Sequence, residues 1–226
     1  MYKRQLLTTA RGHGRRLLFE ATVGAGLPVI DTAWKLLESG DRIRRIDGCL
    51  SGTLGFLLSE LGAGRPFSAT VREAMRRGYA EPDPREDLSG QDAGRKGLIL
   101  ARMMGYHGPA AAPDDLVPPK LRKLPLAAFM DCLPTLDDEW RTKVETENAR
   151  GRVLRYVVSA TPRTVSARLV AVPIESPMGA ATGTRNIISF TSDRYRNEPL
   201  VISGPGAGPA VTAAGILNDI CALSGR

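Results

Sequence analysis

The stretch GRVLRYVVSATPRTVSARLVAVPI, residues 151–174, sets the fold class. Arg152–Thr161 and Thr164–Ile174 are rich in Val, with Tyr156 and Ile174, types whose branched or aromatic side chains suit a pleated, half-buried surface. Asn186–Thr191 and Leu200–Ser203 have the same character, and turn signals separate all of these runs. Together they predict a small, largely antiparallel sheet. Upstream, Arg42–Leu50 intersperses Ile43 and Ile46 with charge and reads as a half-exposed strand. Leu17-Leu18-Phe19 reads as a short buried strand.

The intervening chain has helical spacing. Val29, Ile30, Ala33, Trp34, Leu36 and Leu37 form one apolar face that stops at Gly40, and Ser51-Gly52-Thr53 can cap a second helix carrying Leu54, Phe56, Leu57, Leu58 and Leu61. Further helices are predicted from Phe67 to Gly78, from about Leu88 to Met104, around Leu126–Leu133 and over Asp137–Ala149. Gly204-Pro205-Gly206-Ala207-Gly208 bends the chain into a last helix from about Pro209 to Leu223. The expected class is α+β (α/β): a mixed, largely antiparallel sheet with helices on one face.

Bulk properties narrow the function. The 226 residues are 42% hydrophobic and 24% charged, ordinary for a globular protein able to bury a sizeable core. No apolar run is long enough to span a bilayer and no cleavable signal is evident, so a cytoplasmic enzyme without membrane contact is the expectation. Cys49, Cys132 and Cys221 are scattered and the two histidines, His13 and His107, stand apart. This leaves little for a disulfide framework, a zinc site or a histidine-based triad. The net charge of +7 is spread along the chain and aromatics are only 5%, which argues against nucleic acid. Acid–base chemistry must come from carboxylates and lysines.

Those groups concentrate at Gly78–Lys96, GYAEPDPREDLSGQDAGRK. Asp92 and Lys96 stand four apart and so share one helical face. Glu81 lies on the proline-stiffened approach, within reach of the same place. Two acids beside an ammonium can hold a cationic ligand and donate a proton. Acids also crowd helix N-termini for dipole reasons, and on spacing alone that plainer reading is the commoner. Gly90, Gly94 and Gly97 add a stripe without side chains, costly in a helix unless something approaches closely. Gly24-Ala25-Gly26 and the 204–208 bend look like dinucleotide loops, but neither sits in a complete βαβ unit with a ribose-binding acid, and both read as tight turns before helices.

The blocks Glu20–Ile30 (EATVGAGLPVI), Asp47–Leu54 (DGCLSGTL), Gly78–Gly90 (GYAEPDPREDLSG) and Val211–Gly215 (VTAAG) resemble, in order, the homoserine dehydrogenase family. The wording is closest to its bifunctional aspartokinase-linked or fungal branch. The resemblance implies NAD(P)-dependent interconversion of L-homoserine and L-aspartate 4-semialdehyde. It makes Glu81 and Asp92 the substrate-holding carboxylates and Lys96 the acid/base. Glu20 with the carbonyls of Val23, Ala25 and Leu27 would be a monovalent-cation (sodium) site, and Gly208 would touch the nicotinamide nucleotide, NADP or NAD. It also implies a homodimer; Val153, Tyr156, Val158, Leu169 and Val170 are too many apolar strand residues for one thin layer to hide on one face, so an exposed apolar sheet surface covered in that dimer is expected.

The family places its nucleotide-binding domain ahead of these blocks. Residues 1–16 are therefore expected to be that domain's remnant, 17–203 the catalytic and dimerisation domain, and 204–226 a bend and helix returning towards the nucleotide-binding unit. A dehydrogenase inactive without that unit is the leading expectation; a catalytically silent dimerisation or ligand-binding module is the alternative.

Overall fold

The computed structural model describes residues 2–110 and 112–224, so Met1, Gly225 and Arg226 of the expected terminal segments lie outside the described residues. Helix α1 (Tyr2–Gly12) leads through a 3-10 turn (Glu20–Thr22) to α2 (Val29–Glu38) and strand β1 (Ile43–Cys49). A helical stretch follows: α3 (Gly52–Gly62), α4 (Phe67–Arg76), α5 (Arg85–Leu88), α6 (Gln91–Met103), α7 (Pro119–Arg122), α8 (Leu126–Cys132) and α9 (Asp137–Asn148). Strands β2 (Arg152–Ala160), β3 (Val165–Pro173), β4 (Arg185–Ser192) and β5 (Leu200–Pro205) precede the last helix, α10 (Pro209–Leu223).

The five strands form one sheet in the order β3-β2-β1-β4-β5. Every pairing is antiparallel, so the expected mixed character narrows to a wholly antiparallel sheet. β1, read from sequence as half exposed, is the central strand: Ile46 lies opposite Ala160 on one side and Phe190 on the other.

The two-residue pleat assigns the faces. Ile46, Tyr156, Val158, Ala160, Ala167, Ile188 and Phe190 point to the helical layer, where α3, α6 and α9 pack on β2 and complete the main core. On the opposite face Cys49, Val157 and Ile187 meet Met178 and Ala181 of the β3–β4 connection, with Val170 and Val172 alongside.

Two expectations change. Leu17–Phe19 is not a strand; the sheet edges are β3 and β5, and this segment runs instead beside α10, where Arg16 donates to the Ala222 carbonyl and the Glu20 N–H to Asp219. Of the residues assigned to an exposed apolar sheet surface, Tyr156 and Val158 are buried and Leu169 packs on the same core. Alternation sends them under the helices. Val153 and Val170 fall on the other face, which also carries exposed Arg45 and Arg168.

Candidate functional site

The acid-rich segment is built around a break. The helix expected from Leu88 to Met104 is interrupted at Gly90, whose φ of +66° is left-handed, a backbone state glycine adopts without the penalty a Cβ brings. A Cβ there would also lie 1.9 Å from the Tyr156 hydroxyl, which donates to the Asp114 carbonyl at 2.7 Å. The break lets α5 and α6 present acids in different directions. The preceding loop is pinned by Arg85, which pairs with Asp83 and reaches the Arg122 and Leu124 carbonyls at 3.1 and 2.7 Å.

Lys96 stands where three elements meet. Its Nζ lies 2.7 Å from the Asp92 carboxylate and donates to the Leu50 carbonyl, just past β1, at 3.0 Å. The lysine side chain is 21% exposed and that of Asp92 65%, so the ammonium is recessed and its counter-ion faces outward. Asp87 sits next to them. One of its oxygens accepts the Glu81 N–H at 2.9 Å, and the other lies 3.4 Å from the Thr53 hydroxyl, which donates to the Tyr79 carbonyl at 2.5 Å. Burial pushes the Asp87 carboxyl upward, aided by the negative charges of Glu81 and Asp92 and opposed by its hydrogen bonds. The negative charges of Glu81 and Asp92 thus bear on Asp87, but of the three acids it is Asp92 that pairs with the ammonium, and Glu81 is exposed.

Asp87 and the Leu50 carbonyl were not singled out from sequence. The Glu81–Asp92 segment has acids at 81, 83, 86, 87 and 92, and spacing alone does not say which turns inward. The expected cap at Ser51-Gly52-Thr53 is present: the Ser51 hydroxyl accepts the Leu54 N–H at the start of α3, and Thr53 is buried.

The Gly24–Leu27 loop is a separate construction. Both oxygens of the buried Glu20 carboxylate accept backbone amides at 2.7 Å, one from Ile30 and one from Asp31. The carboxylate therefore caps α2, whose preceding residue, Pro28, makes no side-chain cap bond. Burial still raises its pKa, more than those bonds lower it. Ala25 has a left-handed φ of +55°. The Leu27 carbonyl accepts the Val29 amide, whereas no backbone amide among the described residues reaches the Val23 or Ala25 carbonyl. Helix α10 presses on this loop: a Cβ on Gly26 would lie 2.3 Å from the Val211 carbonyl, and one on Gly215 2.8 Å from the Ala25 carbonyl.

Gly208, at the end of the bend, has φ +125° and open space around its Cα, so a ligand can approach its backbone closely. Among the described residues no two paired strands are parallel, hence none forms the βαβ unit of a dinucleotide fold. No group of three or more His, Cys, Asp or Glu side chains is arranged to hold a metal there either.

Residues 28–221 match the homoserine dehydrogenase family model. The bifunctional aspartokinase/homoserine dehydrogenase 1 of Zea mays is 43% identical over 97% of this chain, and the homoserine dehydrogenase of Paracoccidioides brasiliensis 40% identical over 96%. The chain spans 24% of the first relative and 62% of the second. A solved hyperthermophilic archaeal homoserine dehydrogenase in complex with NADPH superposes with a TM-score of 0.73 at 25% identity, covering 99% of this chain and 60% of that one.

Proposed function

Because this chain belongs to the homoserine dehydrogenase family, we propose that it supplies the substrate-holding half of an NAD(P)-dependent oxidoreductase interconverting L-homoserine and L-aspartate 4-semialdehyde. The observation that carries the reading is the recessed Lys96 ammonium between Asp92 and the Leu50 carbonyl. Glu81 and Asp92 hold the substrate's α-ammonium, with Asp87 adding charge behind them. Lys96 then faces the reacting oxygen. In the reducing direction it donates a proton to the aldehyde oxygen, and in the oxidising direction its neutral amine takes the hydroxyl proton. A nicotinamide nucleotide, when bound, supplies or accepts the hydride. The Gly208 backbone fits contact with it, since no side chain stands in the way.

The remaining assignments follow the same reading. The Val23 and Ala25 carbonyls, which accept no backbone amide among the described residues, would suit a hard monovalent cation such as sodium, with the Leu27 carbonyl and the Glu20 carboxylate, each of which also accepts backbone amides, completing an all-oxygen set. A homodimer would form through the sheet face opposite the helices, on the side of Val153 and Val170. Three free cysteines and the absence, among the described residues, of a helix long and apolar enough to cross a membrane accord with a cytoplasmic setting.

Calorimetric titration with L-homoserine is the direct test. Binding should weaken about tenfold or more in Glu81→Gln and in Asp92→Asn, since each removes a charge-assisted contact. Equal affinity in both variants would place the substrate elsewhere. The wholly antiparallel sheet favours a second reading, a binding module that does no chemistry by itself; it predicts homoserine binding without turnover even when a nucleotide-binding domain is joined to the chain.

A further inference from the structure

Asn186 opens the reach of β4 that faces the helical layer. It has no exposed surface, yet neither its side-chain nitrogen nor its oxygen has a hydrogen-bond partner. A buried carboxamide usually satisfies both, because leaving a polar group desolvated and unpaired is unfavourable. Its surroundings are specific. In strand register it lies opposite Gly204 and one position beyond the Cys49–Ile187 pair, next to Leu50, whose carbonyl receives Lys96. Its amide lies flat on the bend: a Cβ on Gly206 would be 1.9 Å from the Asn186 Cγ and 2.0 Å from its Nδ2. The bend is itself underused, since none of the Gly206, Ala207 and Gly208 amides donates to a backbone carbonyl among the described residues.

We propose that Asn186 is a positioning residue for the nicotinamide nucleotide: when the nucleotide contacts the 204–208 bend, Gly206 shifts off the amide face and the carboxamide hydrogen-bonds the bend's peptide groups. An amide matches a peptide because each offers one N–H donor face and one carbonyl acceptor. Gly204 and Pro205 are held in the sheet and the Gly208 carbonyl by the Thr212 amide; the bonds from Asn186 to the peptide groups beyond them form only in the bound position. Asn186 couples bend position to the Leu50–Lys96 end of the site through adjacent backbone. The inference rests on the reading of Gly208 as a nucleotide contact.

The experiment is an NMR titration of the 226-residue chain with nicotinamide mononucleotide, following the Asn186 side-chain NH2 and the Gly206, Ala207 and Gly208 amides. The expected result is a shift of all of them together, with affinity reduced about tenfold in Asn186→Leu. Without ligand, Asn186→Leu should melt at the same temperature or roughly 2–4 °C higher, as loss of an unpaired buried amide predicts. A response of the bend amides without any change at the Asn186 NH2, or equal affinity in Asn186→Leu, overturns the role of Asn186 while leaving the nucleotide contact standing. No response of the bend at all overturns both. A clear fall in melting temperature for Asn186→Leu would show instead that the amide serves the ligand-free fold, through an ordered water or a direct bond, and that also overturns the proposal.

Discussion

Lys96 has its partners fixed before any substrate arrives, so replacing it should affect chemistry more than folding. In a form of the protein that turns over, Lys96→Ala is expected to lower kcat about 10²–10⁴-fold, the usual contribution of a positioned acid/base, measured by steady-state kinetics with nicotinamide absorbance. Asp87 allows a test that needs no turnover. Its folded pKa is raised, chiefly by burial, so it binds its proton more tightly folded than unfolded. The stability it contributes is present below the ordinary carboxylate range, about pH 4, and is lost as pH rises through the raised value. Urea unfolding should therefore show the wild type losing stability relative to Asp87→Asn as pH is raised across that window; parallel curves would exclude the burial effect. The Asp92–Lys96 pair was legible because four residues make one helical turn. Asp87 was not, because its burial depends on Thr53 arriving from α3 and on the turn at Gly90, neither of which a linear spacing encodes.

Helix α6 tests how glycines act within one element. The stripe Gly90, Gly94, Gly97 reads from sequence as close packing, and the structure divides it. A Cβ on Gly97 would stand 2.5 Å from the Val158 Cγ1, whereas one on Gly94 meets nothing nearer than 3.9 Å. Gly94→Ala should accordingly stabilise the chain by roughly 0.5–1 kcal/mol through helix propensity. Gly97→Ala should cost about 1–3 kcal/mol through overpacking. Gly90→Ala should cost more than either, combining a left-handed φ with the Tyr156 clash; urea midpoints would rank the three. Strands β2–β5 were visible from their composition. Missed were the helix break, hidden because apolar periodicity continues across Gly90, and the irregular path of Leu17–Phe19. That apolar triplet looks like a strand, but the sheet has no edge beside it, and periodicity cannot report the absence of a neighbour.

For the whole molecule, one helix carries four of the exposed large apolar residues among the described residues. Ile216, Leu217, Ile220 and Leu223 of α10 are each more than half exposed, beside the bend proposed to meet the nucleotide. The 226-residue chain alone is expected to give no steady NADH or NADPH formation from homoserine, because the described residues offer no dinucleotide fold to hold the nicotinamide. The proximity it would supply is worth about 7–11 kcal/mol in good cases. Turnover by the chain alone, followed spectrophotometrically, would show that the nucleotide is held in another way. The place of β1 has a different outcome, in time and not in space. It is the centre of the sheet, yet its partners Ala160 and Phe190 come late in the chain, after all of α3–α9. At about 5–20 residues added per second, a nascent β1 passes on the order of ten seconds with both hydrogen-bonding edges bare. The helices that will cover the sheet leave the ribosome before there is a sheet to cover. Such non-local pairing places folding among the slow, aggregation-exposed topologies, and makes the nascent chain, more than the finished one, the form in need of a chaperone.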